Sequence, residues 1–328
     1  MHMRAINPFF LLGLFCMISC QQHPPALVQY PIEGNAWHIE LITNTENQVE
    51  SIIYATYDGR IAAFDPHLEA IRWEYEAGAF IFSLKVKDLD LDGTPEILAV
   101  DASSQLLVLD AQGNLLWSFH DRTPIYTVDA GDLDPARPGL EIAAGGISRK
   151  VFVFDKEGRL LSTREGIDRL VFRMGILDTD RDGQDELFIV ENRVIGHMMN
   201  LENGNLKTRW RKSLNVPETY VNWENPQGYF YPFSLEVADI DLNGSPELLM
   251  GDTYFNKQAV GLFNADGEAQ WISDRLPMFE NRPDTQIEFY ATAFVKSADI
   301  FENIPGEELI SVAGGYFRIF SNAGELLG

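Results

Sequence analysis

Three short segments set carboxylates at alternate positions of a loop. Asp88, Asp90 and Asp92 are followed by Gly93 and then Glu96. Asp178, Asp180, Asp182, Gly183 and Glu186 repeat that spacing, and Asp239, Asp241, Asn243, Gly244 and Glu247 repeat it with one neutral member. Left without a counter-ion, such groups repel one another. Calcium takes about six to eight oxygen ligands at about 2.3–2.6 Å, and alternating oxygens on a tightly turning loop supply them from one segment. The glycine at the sixth position permits the turn. The residues at the seventh, Thr94, Gln184 and Ser245, are expected to complete each ligand set, Thr94 through its main-chain carbonyl. Each loop is followed by an apolar strand, which separates it from the helix-flanked EF-hand. About three calcium ions are expected, in a structural role. Every loop fills its own alternating positions, and no neighbouring histidine points to an activated water.

Two further segments depart from this pattern. Asp132–Glu141 and Asp299–Glu308 are one residue longer, lose the middle carboxylates and gain Pro138-Gly139 and Pro305-Gly306, so metal-free Pro-Gly turns are expected there. Around Asn44–Glu50 the motif is lost. The glutamate after the loop nevertheless recurs as Glu50, Glu96, Glu141, Glu186, Glu247 and Glu308, first at intervals of 45 or 46 residues and then at intervals of 61. That period is the length of one four-stranded propeller blade, interrupted twice by insertions.

The elements that position the loops are short strands. In the second repeat Phe82–Val86, Ile97–Val100, Leu106–Leu109 and Leu115–Phe119 read as strands, and Asp110-Ala111-Gln112-Gly113 closes the last hairpin. The same turn returns at Gly158, Gly267 and Gly324, where a bulged hairpin needs a residue of positive φ. Strands this short do not stand alone. Radial packing of four-stranded sheets buries both faces of each, which explains runs of Val, Ile, Leu and Phe without helical periodicity. The expected fold is an all-β propeller of six visible four-stranded blades across residues 37–328, the last one incomplete because Gly328 aligns with Trp117 and Trp271. Either Ala26–Ile32 closes the ring with a strand, or the natural ring is larger, with seven or eight blades.

The segment Asp88-Leu-Asp90-Leu-Asp92-Gly93-Thr-Pro-Glu96 resembles the FG-GAP/VCBS repeats of bacterial surface proteins and the integrin α-chain head. The segment Leu109-Asp110-Ala-Gln-Gly113-Asn-Leu-Leu-Trp117 is similar to the outer strands of quinoprotein-like propeller repeats. Both resemblances imply a propeller, and neither implies a particular function.

The start of the chain reads as a processing signal. Arg4 precedes an apolar stretch from Pro8 to Ile18 that is shorter than the roughly 20 residues of a membrane-spanning helix. It ends Met17-Ile18-Ser19-Cys20, which resembles the lipobox of bacterial lipoproteins. Residues 1–19 are therefore expected to be removed, Cys20 to carry lipid and residues 20–36 to serve as tether or closing strand. A bacterial envelope location, in the outer membrane, follows from that expectation. Cys16 and Cys20 are the only cysteines, so no disulfide staples the exported domain.

Composition bounds the function. Hydrophobic residues make up 45% of the 328 and aromatics 12%, which supports a packed core. A net charge of −24 without a basic cluster excludes a nucleic-acid partner and suits a holder of divalent cations. Blade topology puts the acidic loops on one face and both insertions on the other. Residues 212–232 carry Tyr220, Trp223, Tyr229, Phe230 and Tyr231 among side-chain amides, and Arg149 and Tyr254 should share that face. Flat apolar rings beside hydrogen-bonding groups suit a glycan or protein ligand. The alternative is that these rings pack over neighbouring blades. Three function classes follow in order: a binding module, an envelope-assembly scaffold lipoprotein, and a polysaccharide-acting enzyme such as a lyase. No nucleophile elbow or phosphate loop nominates a catalytic set.

Overall fold

The computed structural model describes residues 35–44, 48–191, 194–216, 218, 228–252, 259–273, 292–301, 304–313 and 316–327. The lipobox at Cys20, Ala26–Ile32, Tyr220, Trp223 and Tyr254 lie outside them. Every named element is a strand. Blade one is β1 (Ala36–Thr43), β2 (Val49–Thr56), β3 (Arg60–Asp65) and β4 (Ala70–Glu76). Blade two is β5 (Ile81–Lys87), β6 (Glu96–Asp101), β7 (Gln105–Leu109) and β8 (Leu115–His120). Blade three is β9 (Ile125–Gly131), β10 (Glu141–Gly146), β11 (Val151–Phe154) and β12 (Leu160–Arg164). Blade four is β13 (Val171–Leu177), β14 (Glu186–Glu191), β15 (Ile195–Glu202) and β16 (Asn205–Ser213). Blade five is β17 (Pro232–Ala238), β18 (Glu247–Asp252), β19 (Val260–Phe263) and β20 (Ala269–Ile272). Blade six has three strands, β21 (Thr292–Ala298), β22 (Glu308–Ala313) and β23 (Tyr316–Phe320), and a bridge from Phe320 to Leu326 begins a fourth.

All pairings are antiparallel meanders, and the six blades form the expected propeller. Alternation along the inner strands sends side chains to two different cores. In blade two Ile97, Ala99, Leu107 and Leu109 pack against blade one, whereas Leu98, Val100, Leu106 and Val108 pack against blade three. Each such buried aliphatic contributes about 1.5–3 kcal/mol, so neighbouring blades are held chiefly by these interleaved layers.

The outer edges are pinned by tryptophans. Trp73, Trp117, Trp210 and Trp271 each donate their indole N–H to a turn carbonyl of the next blade, at 2.8, 2.9, 3.2 and 2.8 Å. Each ring lies on the glycine of that turn: Gly113, Gly158, Gly267 and Gly324, all at positive φ. A β-bulge one residue before each tryptophan sets its direction, as where Val108 pairs Trp117 but Leu109 pairs Leu115. Blade three has Ser162 at this place, and Gly204 of blade four meets only the Leu161 carbonyl, at 4.0 Å.

Candidate functional site

The three acidic loops share one backbone. Their fourth residues, Leu91, Arg181 and Leu242, and their sixth, Gly93, Gly183 and Gly244, all take positive φ. The first carboxylate accepts the glycine N–H at 2.8, 3.0 and 2.7 Å. The fifth residue accepts the N–H of Thr94, Gln184 or Ser245 at 2.7, 2.8 and 2.8 Å. Three carboxylates thereby converge in each loop: Asp88, Asp90 and Glu96; Asp178, Asp180 and Glu186; Asp239, Asp241 and Glu247. In each group one oxygen from every residue lies within 4.8 Å of the others. Asp92 and Asp182 are not members of these trios, and their Oδ1 atoms, like that of Asn243, accept the N–H of the seventh loop residue.

The donor set is all oxygen, as a hard divalent cation requires. In the third loop the Oδ1 of Asp239 is buried with no hydrogen-bond partner, an orphan that a cation would satisfy. Burial, with repulsion from Asp90, Asp88 and Asp92, raises the Glu96 carboxyl above its ordinary range. Burial, with Asp241 and Asp239, pushes Glu247 to about 7. Burial is the larger cause of both shifts, and Glu141 in the first Pro-Gly loop is likewise raised to about 7.

The closing glutamate has a structural role that its spacing alone did not reveal. Its Oε2 accepts the backbone N–H of the residue seven places earlier in five blades, from Leu89, Asp134, Thr179, Ile240 and Phe301 at 2.8–3.0 Å. The clamp therefore persists in the Pro-Gly loops, where Gly139 and Gly306 take positive φ. Loops of successive blades are also tied together, by Leu140 N–H to the Leu89 carbonyl, Asp185 N–H to Asp132 and Glu307 N–H to Ile240.

The fifth residue of each innermost strand lines the axial channel: Glu40, Lys85, Asp129, Gly175, Glu236 and Lys296. They bound a cavity of about 150 Å³. Lys87 pairs with Asp129 at 3.3 Å, and Lys296 with Glu236 at 3.0 Å. Burial alone would lower the Lys85 pKa, but Asp129, Glu40 and Glu236 hold it above its ordinary value.

At the end of this channel away from the acidic loops, the second residue of each of the first five innermost strands is aromatic: Trp37, Phe82, Tyr126, Phe172 and Phe233. Tyr57 and Phe80 join them. Ring centroids follow one another from Trp37 to Tyr57 at 5.7 Å, Tyr57 to Phe80 at 4.7 Å, Phe80 to Phe82 at 5.3 Å and Phe82 to Tyr126 at 4.8 Å. Phe172 and Phe233 continue the collar at 5.8 Å, and the Arg173 guanidinium lies 4.3 Å over the Phe172 ring. Trp37 is 40% exposed and Tyr57 59%, so two large rings present their surface to solvent.

Sequence reasoning overlooked this collar, because it sought aromatics in the insertions. The signal was present as one aromatic at the same offset in five successive repeats. Of the residues singled out beforehand, Tyr229 and Tyr231 are half-buried neighbours, 6.3 Å between centroids, flanking the fully buried Phe230. Arg149 is exposed and donates from Nε to the Ile167 carbonyl at 2.8 Å, tying its turn to the connection leading into blade four. On the same side of blade four, buried Glu191 accepts from His197 Nδ1 at 2.6 Å and from Arg211 at 2.9 Å, and His197 Nε2 meets Thr208 Oγ1 at 2.8 Å.

Fold and site together define a β-propeller with acidic loops on one face and an aromatic-ringed channel mouth on the other. Residues 51–169 match the family model of the lambda-carrageenase β-propeller domain. Two relatives, the lambda-carrageenases of a Pseudoalteromonas species and of Pseudoalteromonas carrageenovora, are each 24% identical over 259 residues, covering 73% of this chain and 26% of their own. The chain thus spans about a quarter of the length of the carrageenases it matches. Among solved structures, BBS1N in complex with ARL6DN superposes with a TM-score of 0.59 at 10% identity, covering 88% of this chain and 78% of that one. BamB from Moraxella catarrhalis follows with a TM-score of 0.51 at 14% identity, covering 92% and 78%. The chain is a propeller related in sequence to that of the carrageenases, and it shares its fold with BBS1N and BamB.

Proposed function

We propose that this chain is an extracytoplasmic glycan-binding propeller whose ligand lies on the aromatic collar and whose acidic loops hold structural calcium. The collar carries the reading. Exposed rings at Trp37 and Tyr57, backed by the half-buried Phe80, Phe82 and Tyr126, offer a rigid surface to the apolar faces of pyranose rings at little entropic cost. The segment matched by the carrageenase propeller model contains Tyr57, Phe80, Phe82 and Tyr126, which supports a polysaccharide as ligand class. A lipid anchor at Cys20 would hold the module at a bacterial membrane. The likeness to BamB is one of fold and lends no weight to a scaffold role.

The test is retention of the purified protein on immobilised lambda-carrageenan and on an unsulfated galactan. Binding to either that falls at least tenfold in Trp37→Ala/Tyr57→Ala, with an unchanged melting temperature, is the expected result. Retention by the double variant equal to that of the parent would overturn the assignment of the collar, and failure of the parent to bind any glycan presented would overturn the glycan reading.

A further inference from the structure

The three acidic loops share a backbone but differ in what already touches their carboxylates. Glu96 takes its hydrogen bond from a main-chain donor, Leu89 N–H at 2.9 Å, and Glu247 likewise from Ile240 N–H at 2.9 Å. Among the described residues no lysine or arginine lies within ion-pair distance of Asp88, Asp90, Glu96, Asp239, Asp241 or Glu247. Arg181 does reach the third loop, where it binds the main-chain carbonyls of Asn243 and Gly244, the latter at 2.8 Å, the Ser245 hydroxyl at 3.0 Å and Asn243 Oδ1 at 3.5 Å, but it pairs with none of the three converging carboxylates.

The loop Asp178–Glu186 is different. Arg209 Nη1 lies 3.1 Å from Asp180 Oδ2 and 3.4 Å from Glu186 Oε2, two of the three converging carboxylates, and donates to Thr179 Oγ1 at 2.8 Å. The other oxygen of Glu186 accepts from Asn200 Nδ2 at 2.7 Å, and Thr179 bonds Oε2 through both its N–H and its hydroxyl. Glu186 is fully buried, and both its oxygens are engaged.

The register explains how this blade brings a guanidinium from its own outer strand to its converging carboxylates. In β16 Met198 pairs Trp210 and Met199 pairs Thr208, which leaves Arg209 as the extra residue of the bulge. The bulge residue of blade two is Leu116, between Leu115 and Trp117, and that of blade five is Gln270, between Ala269 and Trp271. The same backbone irregularity thus carries a cation in blade four, an aliphatic in blade two and an amide in blade five.

We propose that Arg209 fills the Asp178–Glu186 loop from within, so that the protein takes up calcium at two loops, Asp88–Glu96 and Asp239–Glu247, rather than three. This inference rests on the calcium reading above. A guanidinium, which stays charged at any pH the protein meets, offsets one of the negative charges and occupies two of the three carboxylates, and a divalent ion entering there must displace it. In the Asp239 loop, by contrast, the Oδ1 of Asp239 is buried with no hydrogen-bond partner.

Calorimetric titration of metal-stripped full chain with calcium chloride tests it. The expected stoichiometry is two, rising to three in Arg209→Gln and falling to one in Leu116→Arg, which installs the guanidinium at an exposed bulge position of blade two. Leu116→Arg keeps the test decisive if Arg209→Gln does not fold. Three ions in the parent, or an unchanged count in a folded Arg209→Gln or Leu116→Arg, would overturn the role given to Arg209. No uptake by the parent or by either variant would instead overturn the calcium reading itself.

Discussion

Lys296, in the innermost strand of blade six, places its Nζ 3.3 Å from the carboxylate of Glu40 in blade one, 256 residues away in sequence. The same ammonium lies 3.0 Å from Glu236 of blade five. One side chain therefore bridges the first, fifth and sixth blades across the point where the ring closes. Lys296 is 26% exposed and its partners about a fifth, so solvent screens the pairs only in part. Removing one member leaves carboxylates facing a low-dielectric channel, which costs more than the pair contributes. Lys296→Met should lower stability by about 1–3 kcal/mol, and a double-mutant cycle with Glu40→Gln should return a coupling of at least about 0.5 kcal/mol. Additive effects in urea melts would show that closure does not depend on this contact.

The tryptophan-on-glycine contacts separate two costs of replacing a glycine. Gly93 and Gly113 both take positive φ, at 91° and 81°. A Cβ on Gly93 meets nothing within 4 Å, whereas one on Gly113 would lie 2.5 Å from Cε3 of Trp73. Gly93→Ala should cost only the backbone strain, about 1–2 kcal/mol. Gly113→Ala should cost a further 1–3 kcal/mol, roughly, for displacing the indole. Equal losses for the two variants, measured by chemical denaturation, would mean that the ring moves aside freely.

Acid stability should depend on Glu191. Burial alone would raise its carboxyl, but hydrogen bonds and charge from His197 and Arg211 outweigh it and hold it at about 2, against an ordinary 4.5. A depressed carboxylate stabilises the fold fully above its unfolded pKa, and that contribution is lost as pH falls from about 4.5 through about 2. The contribution is of order 3 kcal/mol at neutral pH. In Arg211→Gln, stability at pH 6 should drop while stability at pH 2.5 changes less. A difference between variant and parent that stays constant over this range would exclude the linkage.

Chelation should lower the melting temperature. An ion bound only by the folded state stabilises by about 2.7 kcal/mol per site when free metal is a hundredfold above its dissociation constant. Asp90→Ala should remove part of that shift and Asp180→Ala much less, since Arg209 already sits against Asp180. A melting curve that calcium chloride leaves unchanged, on protein stripped of metal beforehand, would contradict structural calcium.

Much of the architecture was legible because a repeat writes the same physics several times. Residues such as Glu96, Glu141 and Glu186 mark the start of the second strand in successive blades, and Gly113, Gly158, Gly267 and Gly324 mark the hairpin turns at positive φ. Local geometry of the acidic loops followed too, since Asp88, Asp178 and Asp239 each bond a glycine five residues on. Such contacts lie within one loop, where spacing dictates geometry.

The all-β repeat, the blade period and the alternating carboxylates are thus written in the residue order. Only tertiary structure decided how blades act on one another. Trp37 and Tyr126 became parts of one collar because radial packing brings the same position of different repeats around one axis. Glu40 met Lys296 because the ring closes. Arg209 entered a loop nearly 30 residues earlier because a bulge in an outer strand turned it there. Each of these rests on residues far apart in the chain, and no local spacing encodes which of them the fold will bring together.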